Sequence, residues 1–75
     1  MFILGNNGAV DVDEIGGFDI TTEYEYNNST GKYDVQYYTV SVYLKHSYGV
    51  TLYKCYDKDT AVKYMTEMVK TLNNM

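Results

Sequence analysis

The chain has 75 residues, a hydrophobic fraction of 45% that includes 10 tyrosines, and a formal net charge of -4. A chain this short has room for one core, so we expect a single domain over residues 1–75 and no elaborate buried active site. The acidic balance and the lack of arginine argue against direct binding to nucleic acid or to an anionic membrane, because both require clustered basic residues.

Two short apolar runs around a turn predict an opening hairpin. Phe2 to Leu4 end at "GNNG", and "AVDVD" follows with Val10 and Val12 on one face. The next segment, "EIGG", interrupts the strand pattern, since its glycines allow a sharp change of direction. The acids of "DVDE" lack the central glycine and the closing glutamate of a calcium loop, so we interpret them as exposed strand residues.

A long strand is predicted from Phe18 onward, because two kinds of residue alternate there. One face is aromatic, aliphatic or threonine: Phe18, Ile20, Thr22, Tyr24 and Tyr26. The other face is mainly acidic: Asp19, Thr21, Glu23 and Glu25. The segment "NNSTGK" then supplies the turn of a second hairpin.

The returning strand changes phase along its length. Tyr33, Val35 and Tyr37 keep one parity, whereas Tyr38, Val40, Val42 and Leu44 take the opposite one. This slip predicts a β-bulge or bend at Tyr37 and Tyr38 that sends the two tyrosines to different faces. After a turn at "KHSYG", the segment "VTLYKCY" predicts another strand. Its Val50 and Leu52 share one parity, and Thr51, Tyr53 and Cys55 share the other.

The last segment has helical periodicity. Ala61, Met65, Met68 and Leu72 form an apolar stripe that Val62 and Val69 widen. Asp57 is the expected N-cap, with Asp59 in the first turn and Lys70 in the last. We therefore predict an α+β fold, in which one C-terminal helix packs on one face of an antiparallel meander of about four to five strands. The second sheet face is then left uncovered.

Nothing in the sequence predicts catalysis, a metal site or a cofactor. His46 is the only histidine, and its turn contains no neighbour at ligand spacing, so a solvated side chain is the interpretation. Cys55 is expected to be a small buried hydrophobe. A nucleophilic role is not expected, since alternation points Lys54, the nearby cation that could activate the thiol, to the other face. We therefore expect a protein that is not an enzyme. The single cysteine and the lack of an apolar signal region after Met1 favour a reducing cytoplasm.

The tyrosines and the acids provide the candidate partner-binding residues. All six lysines follow from Lys32 onward, whereas residues 1–31 carry six acids and no base. Tyrosine has high strand propensity, so sheet construction alone can explain many of the tyrosines. It also anchors protein interfaces, because it combines area, stiffness and one hydroxyl. The candidates lie around the second hairpin: Glu23, Tyr24, Glu25, Tyr26, Tyr33, Asp34 and Tyr37.

The two ends of the chain resemble a group of short phage proteins. The opening "MFILGNNGAVDV" and the ending "YDKDTAVKYMTEMV" are similar to short proteins encoded by bacteriophages and prophages of low-GC Gram-positive bacteria. Tyr56, Asp57 and Ala61 match the cap and first turns of the helix that closes those proteins. The resemblance implies an accessory protein of a mobile element, a class that includes inhibitors of host defence. The tyrosine-rich middle is outside it, and no catalytic residue is carried over.

These observations lead to a ranked set of functional hypotheses. The first is a non-enzymatic phage or prophage accessory protein in the bacterial host cytoplasm. It would bind a basic host protein through the acidic, tyrosine-rich hairpin and inhibit a nucleic-acid-binding or defence protein. The alternatives are an assembly module that forms a homodimer through its tyrosine face, and a sponge that holds a small ligand with Lys45, Lys54 and Lys63.

Overall fold

The computed structural model describes residues 1–46 and 48–74, and it confirms the α+β fold. The strands are β1 (Phe2–Leu4), β2 (Ala9–Asp11), β3 (Ile15–Asn27), β4 (Lys32–Leu44) and β5 (Gly49–Cys55), and the helix α1 is Lys58–Asn73. The meander has fewer strands than predicted. β3, β4 and β5 form a three-stranded antiparallel sheet, and the opening hairpin β1–β2 is a separate two-stranded sheet. The predicted turn at "KHSYG" includes Ser47, which lies outside the described residues.

The core lies between the sheet and the helix. Val40 and Val42 of β4 and Leu52 of β5 are fully buried, and Ala61 and Met68 of α1 are buried against them. The hydrogen-bond register places Phe18, Val42 and Val50 in one row across the three strands, on the helix side. Three-stranded sheets need such a covering layer, because a sheet buries its apolar face only against another element.

Helix α1 begins where the sequence predicts. The Asp57 side chain accepts a hydrogen bond from the Thr60 amide at 3.0 Å, which satisfies one of the unpaired donors of the first turn. Val62 was expected to widen the apolar stripe, but it lies on the exposed side because only a narrow stripe of α1 meets the sheet. No helix in the described parts of the chain is long and apolar enough to cross a membrane.

Most of the segment "DVDE" is not extended strand, contrary to the prediction, and only Asp11 belongs to β2. Residues Val12–Glu14 form a single 3-10 turn between β2 and β3. The Asp11 carboxylate accepts a hydrogen bond from the Asp13 amide at 3.1 Å and so caps this turn. The local side-chain-to-backbone bond competes with strand pairing, which explains why alternation fails here.

Three register shifts interrupt the sheet. The extra residues are Gly16 on β3, Gln36 on β4 and Leu52 on β5, each left without an opposite partner. The bulge at Gln36 precedes the predicted position at Tyr37 and Tyr38. The bulge at Leu52 corrects the predicted faces of β5, because Tyr53 and Cys55 now share the helix side with Val50.

The turn "GNNG" of the opening hairpin covers the outer edge of β5. Asn6 bonds both backbone groups of Lys54, through its amide nitrogen at 2.6 Å and its oxygen at 2.8 Å. Asn7 donates from its backbone to the Leu52 carbonyl at 3.1 Å and from its side chain to the Thr51 carbonyl at 3.1 Å. Strand edges expose unpaired donors and acceptors, and this turn satisfies those of β5.

The hairpin β3–β4 sets the long dimension of the molecule. Each of its strands has 13 residues, whereas β5 has 7 and pairs only with Tyr38 to Tyr43. The helix follows β5 directly and packs back over the same region. The distal part of the hairpin therefore extends past both neighbours, and the molecule measures 48 × 25 × 16 Å.

Replacing Gly5 with alanine tests the docking of the "GNNG" turn. A Cβ atom at Gly5 would clash with the Leu52 carbonyl, a backbone group that cannot rotate away. We expect Gly5→Ala to destabilise the protein by about 1–3 kcal/mol, as overpacked sites do. Gly17→Ala is the matched control, because nothing lies within 4 Å of its added Cβ. Urea unfolding followed by circular dichroism measures both, and equal stability of the two variants would contradict the docking.

Candidate partner-binding surface

The arm is the part of the β3–β4 hairpin that has neither β5 nor α1 beside it, residues 23–37. It starts beyond the last β4–β5 pair, Tyr38 with Cys55, and it ends in a turn closed by Asn27 and Lys32. Gly31 has a φ of 70°, which favours glycine, and its amide bonds the Asn27 carbonyl at 2.9 Å. The turn is therefore fixed locally, without help from the core.

The arm has two chemically different faces. Directly opposite residues of an antiparallel pair point to the same side, so the register assigns each residue to a face. The aromatic face, on the side of the sheet that carries α1, consists of Tyr24, Tyr26, Tyr33 and Val35. The acidic face, on the uncovered side, carries Glu23, Glu25 and Asp34, with Tyr37 at its base and the pair Asn27 and Lys32 at its tip. Strand alternation produces this division, and the bulge at Gln36 moves Tyr37 out of phase with Tyr33 and onto the acidic face.

The aromatic face is exposed along its whole length. Tyr24, Tyr26 and Tyr33 are 59%, 50% and 69% exposed, and Val35 is 48% exposed. The rings of Tyr26 and Tyr33 meet edge to face with centroids 5.2 Å apart, a favourable arrangement for a cross-strand aromatic pair. This pair stiffens the arm near its tip while leaving most of both rings in contact with solvent.

The acidic face is held by side-chain contacts near the tip. The Asn27 side chain donates to the Asp34 carboxylate at 2.9 Å and accepts from the Ser29 amide at 2.9 Å. Glu25 lies opposite Asp34 in the register, so two carboxylates are neighbours there. An open depression borders them, lined by Glu25, Tyr26, Asn27, Asn28, Asp34 and Val35. This part of the arm therefore presents negative charge together with amide groups.

One lysine interrupts the negative charge at the base of the arm. The Lys54 ammonium lies 4.2 Å from the centroid of the Tyr37 ring and 5.8 Å from that of Tyr56, which are cation–π distances. Tyr37 is half-buried. Among the candidate residues, Tyr37 thus differs from Tyr24, Tyr26 and Tyr33, which lie together on the opposite face.

The structure places all seven candidate residues on the arm, but not on one surface. It adds three residues that the sequence interpretation omitted: Val35, Asn27 and Asp19. Val35 shares the parity of Tyr33, and this pattern is enough to predict that the two residues lie on the same face. For Asn27 the sequence pattern indicates a turn and nothing more. Asp19 lies on the same face as the arm acids, but in the three-stranded part of the sheet and outside the arm. Its carboxylate accepts a hydrogen bond from the Tyr43 hydroxyl at 2.9 Å.

The remaining candidates for chemistry are separate from one another. His46 is exposed, and Cys55 is buried, with its thiol 3.2 Å from the Asp57 carbonyl. Lys45 follows the end of β4, about 20 Å along the sheet from Lys54 at the strand rise of 3.4 Å, and Lys63 is on the exposed side of α1. Within residues 1–46 and 48–74, no three metal-ligating side chains come together.

Comparison with family models, curated proteins and solved structures gave no match to this chain.

The contact between Tyr43 and Asp19 gives a pH-dependent signal on the uncovered face. The hydrogen bond to Asp19, and next its negative charge, raise the pKa of Tyr43 above 10.0. Folding therefore favours the protonated phenol, and this contribution to stability is present at lower pH and is lost as the pH rises above 10.0 through the raised value. We expect Asp19→Asn to lower the pKa of Tyr43, measured by NMR titration of the tyrosine Cζ resonance. Glu14→Gln, which leaves this hydrogen bond intact, should not, and an unchanged pKa in Asp19→Asn would contradict the assignment.

Proposed function

We propose that the protein is a non-enzymatic binding protein that docks its arm against a basic surface of a host protein. The observation that carries the proposal is the acidic face of a projecting arm, with Glu23, Glu25 and Asp34 aligned on one side. Residues 23–37 contain one cation, Lys32, which lies opposite Asn27 at the tip of the arm, on the same face as the acids. Aligned charges on a projecting element steer association with an oppositely charged partner and set its orientation.

The aromatic face supports the proposal by supplying contact area. Charge alone contributes more to the rate and specificity of association than to affinity. Tyr24, Tyr26 and Tyr33 are exposed and have few rotatable bonds, so they can bury area at low entropic cost. A partner that grips the arm from both sides would use the acids for orientation and the tyrosines for affinity.

The proposed origin and role follow from the resemblance and the charge. Similarity of both chain ends to short phage and prophage proteins supports an accessory protein acting in the bacterial host cytoplasm. An acidic arm resembles the nucleic-acid backbone in charge, so it can compete for a basic nucleic-acid-binding surface. We therefore propose inhibition of a nucleic-acid-binding or defence protein as the biological outcome.

Self-association through the aromatic face is the second candidate, and the exposed tyrosines favour it. The exposed part of Tyr24, Tyr26 and Tyr33 amounts to about 350 Å² per copy, taking roughly 200 Å² for each side chain. A stable interface buries about 800 Å² per partner. The aromatic face alone is therefore too small to hold a stable dimer, which ranks this candidate below host binding.

Reversing the arm charge tests the first proposal. We expect Glu23→Lys with Glu25→Lys to abolish capture of the host partner from a bacterial lysate at low salt, because both acids on β3 change sign. Asp13→Lys with Glu14→Lys is the matched control. It changes net charge equally, but at exposed positions roughly 30 Å from the arm acids along β3. Capture is measured by quantitative mass spectrometry of the bound proteins.

The control separates a local effect from a global one. Loss of the partner only in the arm variant supports docking through the acidic face. Equal loss in both variants would mean that net charge, and not the arm, governs binding. Full retention of the partner in the arm variant would refute the proposal.

The oligomeric state discriminates the two candidates. From the small aromatic area we expect a monomer at micromolar concentrations in sedimentation velocity. If the assembly candidate were correct, a dimer would be present and would dissociate in a Tyr24→Ser, Tyr33→Ser variant. Val62→Ser, at an exposed helix position away from the arm, serves as the control for lost surface hydrophobicity.

A further inference from the structure

The outer edge of β3 is an unpaired strand edge. β3 is the first strand of the three-stranded sheet and pairs on one side only, with β4. Within the described residues, no hydrogen bond reaches the backbone of residues 16–26 from any element other than β4, and the Ile15 amide donates to the Val12 carbonyl of the preceding 3-10 turn. The opposite edge of the same sheet is covered, since Asn6 and Asn7 bond the backbone of β5. The two edges of one sheet are thus treated differently.

The side chains along β3 define what can pair with this edge. The uncovered face of β3 carries Asp19, Thr21, Glu23 and Glu25 in that order, and β3 contains no cation. On the helix side, the residues are apolar, aromatic or β-branched: Phe18, Ile20, Thr22, Tyr24 and Tyr26. Cross-strand neighbours of opposite charge stabilise a sheet, as do pairs of aromatic and β-branched residues. The complementary strand therefore carries a basic residue at every second position and β-branched or apolar residues between them.

A second copy of β3 does not meet this requirement. An antiparallel self-pairing centred on Thr21 places Asp19 opposite Glu23, and one centred on Thr22 places Asp19 opposite Glu25. A pairing centred on Glu23 places the two copies of that residue opposite each other. Like charges directly opposite one another destabilise a sheet. The charge pattern thus disfavours self-pairing in the registers centred on Thr21, Thr22 or Glu23.

We propose that the β3 edge accepts an extended basic segment of the partner protein as an added strand. This inference rests on the proposed function, for which it names the mode of recognition. The backbone of β3 supplies hydrogen bonds, and alternate Lys or Arg side chains of the segment lie beside Asp19, Glu23 and Glu25. Strand addition of this kind obtains affinity from the main chain and specificity from alternate side chains.

A designed peptide tests the edge without knowledge of the partner. The probe is a nine-residue peptide in which lysine alternates with threonine, about 30 Å long when extended. A second form carries a methyl group on every backbone nitrogen, which keeps the charges and side chains but removes the donors of a strand ladder. Fluorescence anisotropy measures the affinity of each form, and NMR hydrogen exchange locates protected amides on the full-length protein.

We expect the unmethylated peptide to bind and to slow the exchange of amides within residues 16–26. The methylated peptide should bind at least about tenfold more weakly, because several hydrogen bonds of about 1 kcal/mol are lost. Glu23→Lys with Glu25→Lys should weaken binding of the unmethylated form by about five- to tenfold. The Asp13→Lys, Glu14→Lys control should leave its affinity unchanged.

Three results would overturn the edge-pairing inference: equal affinity of both peptide forms, protection confined to residues outside β3, or failure of the unmethylated peptide to bind. These results are distinguishable from failure of host binding. If the peptide forms bind equally but the arm variant still loses its captured partner, charge-guided docking stands and strand addition is wrong. If peptide binding protects β3 while the arm variant retains its captured partner, the docking of a host protein on the arm is wrong.

Discussion

The mismatch between the lengths of the strands determines the rest of this structure. β3 and β4 have 13 residues each, and β5, with 7, covers only their proximal part. Because α1 follows β5 without a long connection, the helix is confined to the same region. An isolated two-stranded hairpin is marginally stable in water, so the arm depends on its continuity with the three-stranded base. The Tyr26–Tyr33 contact and the Asn27 hydrogen bonds at the tip supply local support.

Periodicity predicts the elements of this fold, and the register fixes which residues meet. Alternation in β3 and the helical spacing from Ala61 to Leu72 required no tertiary information, and the Asp57 cap follows from residue type alone. The bulges at Gly16 and Leu52 were not anticipated, because an unpaired residue is defined by the partner strand. The bulge at Gln36 appears in the sequence as a change of parity along β4, but the same sequence fits an extra residue at more than one position. Its position decides the face of Tyr37, which alternation alone places with Tyr33.

The tyrosines serve two different purposes in the structure. Tyr38, Tyr53 and Tyr64 pack against the core. The Tyr53 and Tyr64 rings stack with centroids 4.2 Å apart, and the Tyr64 hydroxyl donates to the Leu4 carbonyl at 3.0 Å, which fastens the helix to the opening hairpin. Burial, and then the proximity of Tyr53, raise the pKa of Tyr64. The tyrosines of the arm have no such role, since their removal would leave the core contacts of the base intact. Strand propensity explains their presence in a strand, but it does not explain why Tyr24, Tyr26 and Tyr33 cluster on the helix side of the sheet, in the part that the helix does not reach.

The two edges of the sheet show how charge and hydrogen bonding solve the same physical problem differently. An open edge risks pairing with other chains, and a protein can prevent this by covering the edge or by charging it. At β5 the asparagines of "GNNG" cover the backbone, which requires Gly5 to approach the Leu52 carbonyl closely. At β3 the acids oppose pairing with a second acidic copy, but they oppose nothing basic. A covered edge therefore excludes every added strand, whereas a charged edge excludes only strands of the same charge.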